Sequence, residues 1–358
     1  MKRLPCLLLA LASLSGVIQA ADPPAPIAGA FEANRRLGRG INLGNALEAP
    51  HEGEWGLTLQ AEYFEAIQRA GFDSVRIPIR WATHSGAAPG HDIDPDYFAR
   101  VDWAIDQALS RGLVAVVNIH HDDETYRDPT AHLPRLASTW RQIAARYKDR
   151  PDRLYFELLN EPNGELTDAR WQAAIPSLLA SVRGSNPDRI VIIGPGHWNN
   201  LEHLPALELP EADRRLIVTF HYYAPFHFTH QGAGWVAGSA AWKGQTWTAT
   251  PEQAAKLRRD FENAAGWAKQ RNRPLFLGEF GAYSGADLDS RVTWTDAVAR
   301  EAERLGISWA YWEFGSGFGA YDPQAGKWRE PLLKALIPSK AKGPIPAKGQ
   351  AAPATSRD

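Results

Sequence analysis

The sequence predicts a single-domain α/β fold, a (β/α)8 TIM barrel, and three observations carry that prediction. Short apolar runs of strand character alternate eight times with amphipathic, helix-like runs. Nearly every apolar run ends in one or two polar residues, always at the carboxyl-terminal end, where such barrels assemble their sites. No glycine-rich nucleotide fingerprint follows the first strand, which counts against the runner-up, a doubly wound open sheet.

The chain opens Met1-Lys2-Arg3, runs apolar from Leu4 to Ile18 and leaves through Gln19-Ala20-Ala21. A basic start, an apolar stretch too short to span a membrane and a small-residue exit read as a secretory signal peptide over residues 1–20. Cys6, the only cysteine, lies inside it and too early to anchor a lipid, so the domain is expected to rest on core packing alone. The domain spans 21–338. The tail 339–358, rich in Lys, Pro, Ala and Gly without periodicity, reads as disordered.

The first strand is 39–43, followed by an amphipathic helix over 58–70 that Gly71 ends. Strand two is 73–79. Asp94-Pro95 then opens a helix running to Arg111-Gly112, with Asp as cap and Pro just inside. Strand three is 113–119, its helix contains 136–147, and strand four starts at Leu154 and meets its stop at Pro162. Helix 168–182 leads to strand five, 190–193, with at most a short helix near Leu201. Strand six, 216–220, precedes a Trp- and Gly-rich insertion over 224–250 and a helix over 251–270. Strand seven (274–278), helix 289–305, strand eight (307–311) and a last helix near 331–336 complete the alternation.

A net charge of −2 and the lack of a basic run in the folded part argue against nucleic acid as a partner. No second apolar run reaches membrane-spanning length, so the processed chain is expected to be secreted or periplasmic, free of the membrane, and monomeric.

The polar strand ends read as one site. They are Asn42 with Glu48 in its loop, Arg76 and Trp81, His120-His121-Asp122, Asn160-Glu161, Trp198-Asn199, His221 and Tyr223, Glu279, and Trp312-Glu313. A strand buried on both faces has no structural use for Asn160-Glu161 at its end, and polar groups there are costly unless something engages them. Glu161 and Glu279 come from strands four and seven, across the barrel mouth. Paired carboxylates flanking a bond are what glycoside hydrolysis requires, and a separation of about 5–5.5 Å gives retention of configuration. Arg76 and Tyr223 would keep the nucleophile ionised, while the acid needs a raised pKa.

The segments LNEP (159–162), GEFG (278–281), VRIPI (75–79), HYY (221–223) and GINLGN (40–45) resemble glycoside hydrolase family 5, retaining enzymes of the cellulase type. The stretches 45–56 (NALEAPHEGEWG), 229–233 (THQGA) and 309–319 (WAYWEFGSGFG) resemble its thermophilic-type endoglucanase/mannanase branch. The resemblance runs from about Leu37 to Ile337. It implies Glu161 as acid/base and Glu279 as nucleophile. It also implies that Asn160 holds the sugar 2-hydroxyl, Arg76 and Tyr223 position Glu279, and His221 sits beside Glu161. His120 would bind sugar at the cleavage point, and Trp312 would stack beneath the sugar next to the bond. Asn42, His121 and Trp235 join this expected substrate-binding set. Neither a cofactor nor a metal is expected.

The activity implied is endo-hydrolysis of β-1,4 bonds in β-glucan, with mannanase or dual glucanase/mannanase action on glucomannan or mannan as the alternative. Two other classes stay in view: a metal-dependent hydrolase built on His120-His121-Asp122, and a non-catalytic carbohydrate-binding barrel. A bland reading makes Glu161 and Glu279 ion-pair partners of Arg76. Trp103, Trp140, Trp171, Trp267 and Trp294 read as helix packing. Trp198 is a weaker stacking candidate than Trp312. Trp242, Trp247 and His230 are open between site and loop packing, and Glu48 and Glu313 between outer subsites and loop support.

Overall fold

Eight parallel strands close on one another in sequence order: β1 (Arg39–Asn42), β2 (Ser74–Ile77), β3 (Val114–Asn118), β4 (Leu154–Glu157), β5 (Val191–Ile193), β6 (Leu216–Tyr222), β7 (Leu275–Phe280) and β8 (Ser308–Tyr311). The structure is a computed structural model that describes residues 29–338; the expected signal segment and the 339–358 tail lie outside the described residues. The helices are α1 (Ala30–Leu37), α2 (Ala61–Ala70), α3 (Pro95–Ser110), α4 (Asp123–Arg127), α5 (Pro129–Tyr147), α6 (Asp168–Arg183), the single turns α7 (Gly196–Asn199) and α8 (Phe226–Thr229), α9 (Pro251–Arg271), α10 (Leu288–Arg304) and α11 (Glu330–Leu336). Among the described residues, no helix is long and apolar enough to cross a membrane.

The local signals act as expected. The Asp94 side chain accepts the Asp96 amide at 2.9 Å to cap α3. Gly71, at φ 96°, closes α2. A Thr250/Gln253 capping box starts α9.

Alternation along each strand sorts side chains into two cores. Ile41, Val75, Ile77, Val117, Phe156, Val218 and Leu277 face the helices in the larger core. Val114, Val116, Tyr155, Ile192, Ile217 and Phe276 form the smaller one inside the barrel.

That inner core is closed by α1, which the sequence reading did not foresee. Ala33 and Leu37 pack into it, and Tyr155 and Ser74 donate hydroxyl hydrogen bonds to the Ala33 and Leu37 carbonyls at 3.2 and 2.7 Å. The helix is short and its Gly29 cap makes no side-chain hydrogen bond, so tertiary contact holds it rather than a local signal. A two-stranded hairpin, β9 (Tyr321–Asp322) with β10 (Lys327–Trp328), was likewise unforeseen.

Above the apolar floor the inward positions turn polar, and one irregularity aims two of them. The β6–β7 register shifts after Phe220, so His221 pairs with Glu279 rather than with Gly278. This bulge brings both chemical side chains to the mouth together. Both strands outrun their expected ends, and the extra residues carry the site.

Candidate active site

Arg76 is the hub, wholly buried inside the barrel. All five of its N–H groups are engaged. Nε and Nη2 donate to Glu157 at 2.6 and 2.9 Å, and Nη2 also donates to Asn160 Oδ1 at 2.7 Å. Nη1 donates to Glu279 Oε1 at 2.6 Å and to Asn42 Oδ1 at 2.9 Å. Burial works against the guanidinium charge, but Glu157 and Glu279 outweigh it and hold Arg76 above its ordinary value.

The consequences pass outward. Asn160 spends its oxygen on Arg76, which leaves its Nδ2 as a donor at the site. Asn42 is also fully buried, its Nδ2 shared among the carbonyls of Gly278, Ala310 and Tyr311 at 3.0–3.2 Å. Asn42 and Arg76 therefore stand behind the carboxylates, holding them, instead of meeting a sugar.

Glu279 receives Arg76 on one oxygen and the Tyr223 hydroxyl on the other at 2.9 Å. Burial pushes its pKa up, His221 and Arg76 pull it down, and Glu161 adds to the rise. Burial and the neighbouring carboxylates hold the Tyr223 phenol well above its usual range, so it stays a donor. Glu161 has no such pair of donors. Its φ of 47° turns it off the end of β4, and its Oε1 lies 2.7 Å from His221 Nδ1. Burial lifts its pKa to about 7, opposed by Arg76 and reinforced by Glu157. Burial raises both carboxylates, but only Glu279 is held by a guanidinium and a phenol, and such a difference in environment suits an acid/nucleophile pair. One oxygen of each lies within 4.8 Å of the other, on the short side of the spacing that separates retaining from inverting geometries.

Burial lowers His221 to about 4, against the pull of Glu279, so it is neutral near pH 7. His120 is held well below its ordinary value by burial, with His121 and Arg76 adding to it. Asn118 accepts the Ile79 amide at 3.2 Å through Oδ1, so its Nδ2 donates to His120 Nδ1 at 3.0 Å. The His120 proton therefore sits on Nε2. The His120 ring lies parallel to Trp312, 5° between planes and 5.9 Å between centroids. Trp312 backs onto Gly44, where an added Cβ would come within 2.8 Å of the indole. His121 is partly buried with its edge toward Trp55 at 5.5 Å.

Glu48 and Glu313 serve their loops rather than outer subsites. Both are fully buried. Glu48 accepts the Asn45 and Ala46 amides, and Glu313 those of Gly315, Ser316 and Phe318. Burial raises them to about 8 and about 7.

In the long loop, Trp247 is core, Trp242 stacks on His227 at 4.2 Å, and buried His230 stacks on Phe226 at 4.1 Å. Trp235 stands 64% exposed with its edge against Tyr283, and Trp198 is 55% exposed. Trp140, Trp171 and Trp294 are buried in packing, and Trp103 and Trp267 are partly so.

The sequence reading passed over three contributors. Glu157 was counted within an apolar strand, although it shares the inward face with Tyr155 two residues earlier. Asn118 reads as ordinary strand. Trp55, 37% exposed, hides in a loop quoted only as a motif.

Among the described residues, two sets of side chains lie close enough to hold a metal: Glu161, His221 and Glu279, and separately Asp168, His197 and His203. In the second set the imidazoles stack at 3.8 Å and 19° between planes, so one must turn before both can address one ion.

A model of the family described as Cellulase (glycosyl hydrolase family 5) matches residues 39–317. Endoglucanase H of Acetivibrio thermocellus is 39% identical over 292 residues, covering 82% of this chain and 31% of its own length. The chain thus spans about a third of the first curated relatives it matches. Among solved structures, the endoglucanase Cel5A of Thermotoga maritima superposes with a TM-score of 0.85 at 49% identity, covering 86% of this chain and 100% of that one. That enzyme has been solved with cellobiose and with mannotriose. The cellulose synthase subunit Z of Clostridioides difficile superposes with a TM-score of 0.82 at 38% identity, covering 84% of this chain and 99% of that one.

Proposed function

The chain belongs to the cellulase family, glycosyl hydrolase family 5, and from that membership we propose that it is a retaining endo-β-1,4-glucanase. The observation that carries this reading is the pair of carboxylates with oxygens within 4.8 Å of each other. One is held by the Arg76 guanidinium and the Tyr223 phenol, and the other is raised by burial to about 7.

Glu161 gives its proton to the glycosidic oxygen while Glu279 attacks the anomeric carbon, forming a glycosyl-enzyme ester and freeing the leaving chain. Glu161, now a carboxylate, takes a proton from the incoming water, which displaces Glu279 and restores the starting configuration. Asn160 Nδ2 and His120 Nε2 supply donors to sugar hydroxyls, and Trp312 supplies an apolar face for the ring. His121, Trp55, Trp198 and Trp235 extend the cleft, and Asn42 and Arg76 hold the carboxylates from behind. No step calls for a cofactor.

A dual glucanase/mannanase is the second reading. It is favoured by the Thermotoga relative that has been solved with both kinds of oligosaccharide. The two readings differ in the sugar 2-hydroxyl, equatorial in glucose and axial in mannose, which this reading places near Asn160 and His120.

Reducing-sugar release by wild type and Glu279→Gln on carboxymethyl-cellulose, barley β-glucan and galactomannan, with and without EDTA, tests both readings. Glucan activity that vanishes in the variant and ignores EDTA is expected. Comparable rates on galactomannan establish the dual enzyme, and an active Glu279→Gln or an EDTA-sensitive wild type overturns the site. We further propose export through residues 1–20 and a monomeric product. A secreted protein whose amino terminus is Ala21, eluting as a monomer, is the expected result.

A further inference from the structure

His197, Trp198 and Asn199 hold left-handed backbone angles in succession after β5, at φ 48°, 59° and 53°. Non-glycine residues rarely hold such angles, and the strain persists where the surroundings fix it, most often at functional sites. The turn sends its neighbours opposite ways: Trp198 to solvent and Asn199 to complete burial. It is tied to the segment after the acid/base by the Trp198 amide, which donates to the Pro162 carbonyl at 3.1 Å. Gly194 makes room beneath it, since a Cβ there would fall 2.3 Å from Asn199 Oδ1.

What this placement achieves is a contact with His221. Asn199 Nδ2 lies 3.4 Å from His221 Nε2, and His221 Nδ1 lies 2.7 Å from Glu161 Oε1. A neutral imidazole has one N–H and one lone pair, so the partner of Nε2 decides what Nδ1 presents.

We propose that Asn199 is a positioning residue that keeps the His221 proton on Nδ1, so that Glu161 accepts an N–H on Oε1 and carries its acidic proton on Oε2. The inference rests on the reading of Glu161 as acid/base. With the opposite tautomer, the Nδ1 lone pair would face Oε1 and draw the Glu161 proton into a bond with His221, away from the glycosidic oxygen.

Two observations support the assignment. Thr219 Oγ1, buried and without a hydrogen-bond partner among the described residues, faces the same spot. A Cβ at Gly278 would meet Thr219 Oγ1 at 2.6 Å and His221 Nε2 at 3.1 Å, so an unengaged hydroxyl stands near Nε2 beside the Asn199 amide. The other site histidine uses the same device in the opposite sense. Asn118 donates to His120 Nδ1 and leaves the proton on Nε2, and the amide of Asn199, 3.4 Å from His221 Nε2, is placed to act on the other nitrogen of its ring in the converse way.

The test pairs a spectroscopic and a kinetic readout on the full chain. With ring-15N-labelled histidine, wild-type His221 should show a protonated Nδ1 and an unprotonated Nε2. Asn199→Asp offers Nε2 only acceptors and should move the proton there or add a second one. Its kcat on cellotetraose should fall about tenfold or more, the scale of a weakened general acid. On 2,4-dinitrophenyl β-cellobioside, whose leaving group needs little proton donation, kcat/KM, which reports only the first step, should stay within about threefold.

A wild-type His221 protonated on Nε2 overturns the proposal, and that measurement stands even where the variant does not fold. Equal slowing of both substrates overturns it too. A wild type inactive on both substrates would instead bring down the underlying reading of Glu161.

Discussion

Replacing Glu157 by Gln tests the claim that the site is built around one buried guanidinium. Arg76 has no solvent exposure, and two of its five hydrogen bonds end on the Glu157 carboxylate. A glutamine amide keeps one acceptor and turns an NH2 toward a guanidinium N–H, which loses one charge-assisted bond and leaves donors facing each other. Breaking a buried pair in this way costs about 3–5 kcal/mol, and the lower end applies because Arg76 retains Glu279. For a domain of about 300 residues, unfolding entropy near 2.1 cal/mol/K per residue converts about 3 kcal/mol into a Tm lower by about 5 °C. The charge matters to the chemistry as well. Glu157 is one of the groups that raise Glu161, so its neutralisation should draw the alkaline limb of kcat/KM downward from its place near pH 7. Calorimetry and a pH–rate profile on soluble glucan check both effects. A Tm within about 1 °C of wild type, with an unmoved limb, would refute the reasoning, because an unneeded carboxylate would then be sitting on a fully satisfied arginine.

Three further outcomes are expected. Wild-type kcat/KM should fall as pH rises through about 7, where Glu161 loses its proton, and a profile flat to pH 9 contradicts that assignment. Glu48 should make stability fall with rising pH. Between its ordinary 4.5 and its folded value of about 8 the folded chain holds a proton that the unfolded chain has released, so the contribution is whole below 4.5 and lost toward 8. Glu48→Gln should flatten that part of the Tm–pH curve, and an unchanged slope would show that Glu48 does not cause it. Gly44→Ala should raise KM on cello-oligosaccharides several-fold while changing Tm little, because its methyl meets the Trp312 indole edge, which can tilt; an unchanged KM would mean that Trp312 is not the platform.

What the sequence made legible and what it hid differ for a physical reason. The alternation of apolar runs was visible because burial on both faces of a parallel strand leaves near-continuous hydrophobic stretches. Polar residues stood out wherever such a stretch ended, which found Glu161, Glu279, His120, His221 and Tyr223 at the mouth. Glu157 lies inside a run, and only the pleat turns it inward while Phe156 faces the helices. Nothing in a linear pattern separates the two until the strand is paired. The α1 plug was hidden for a related reason, since its contacts are with strands far along the chain and its own propensity is weak.

The roles of Asn42, Arg76 and Asn160 illustrate the same limit from the other side. Asn42 and Asn160 were expected to meet the substrate and Arg76 to position Glu279, and once Arg76 is satisfied only Asn160 has hydrogen-bonding capacity left. A strand end tells which side chains reach the mouth. Which of them remain free to meet a ligand depends on how donors and acceptors pair off beneath it, and that follows from register. Here the decisive register is the shift after Phe220, which sets His221 against Glu279 and lets one buried arginine hold Glu279 while Glu161 stands apart from it.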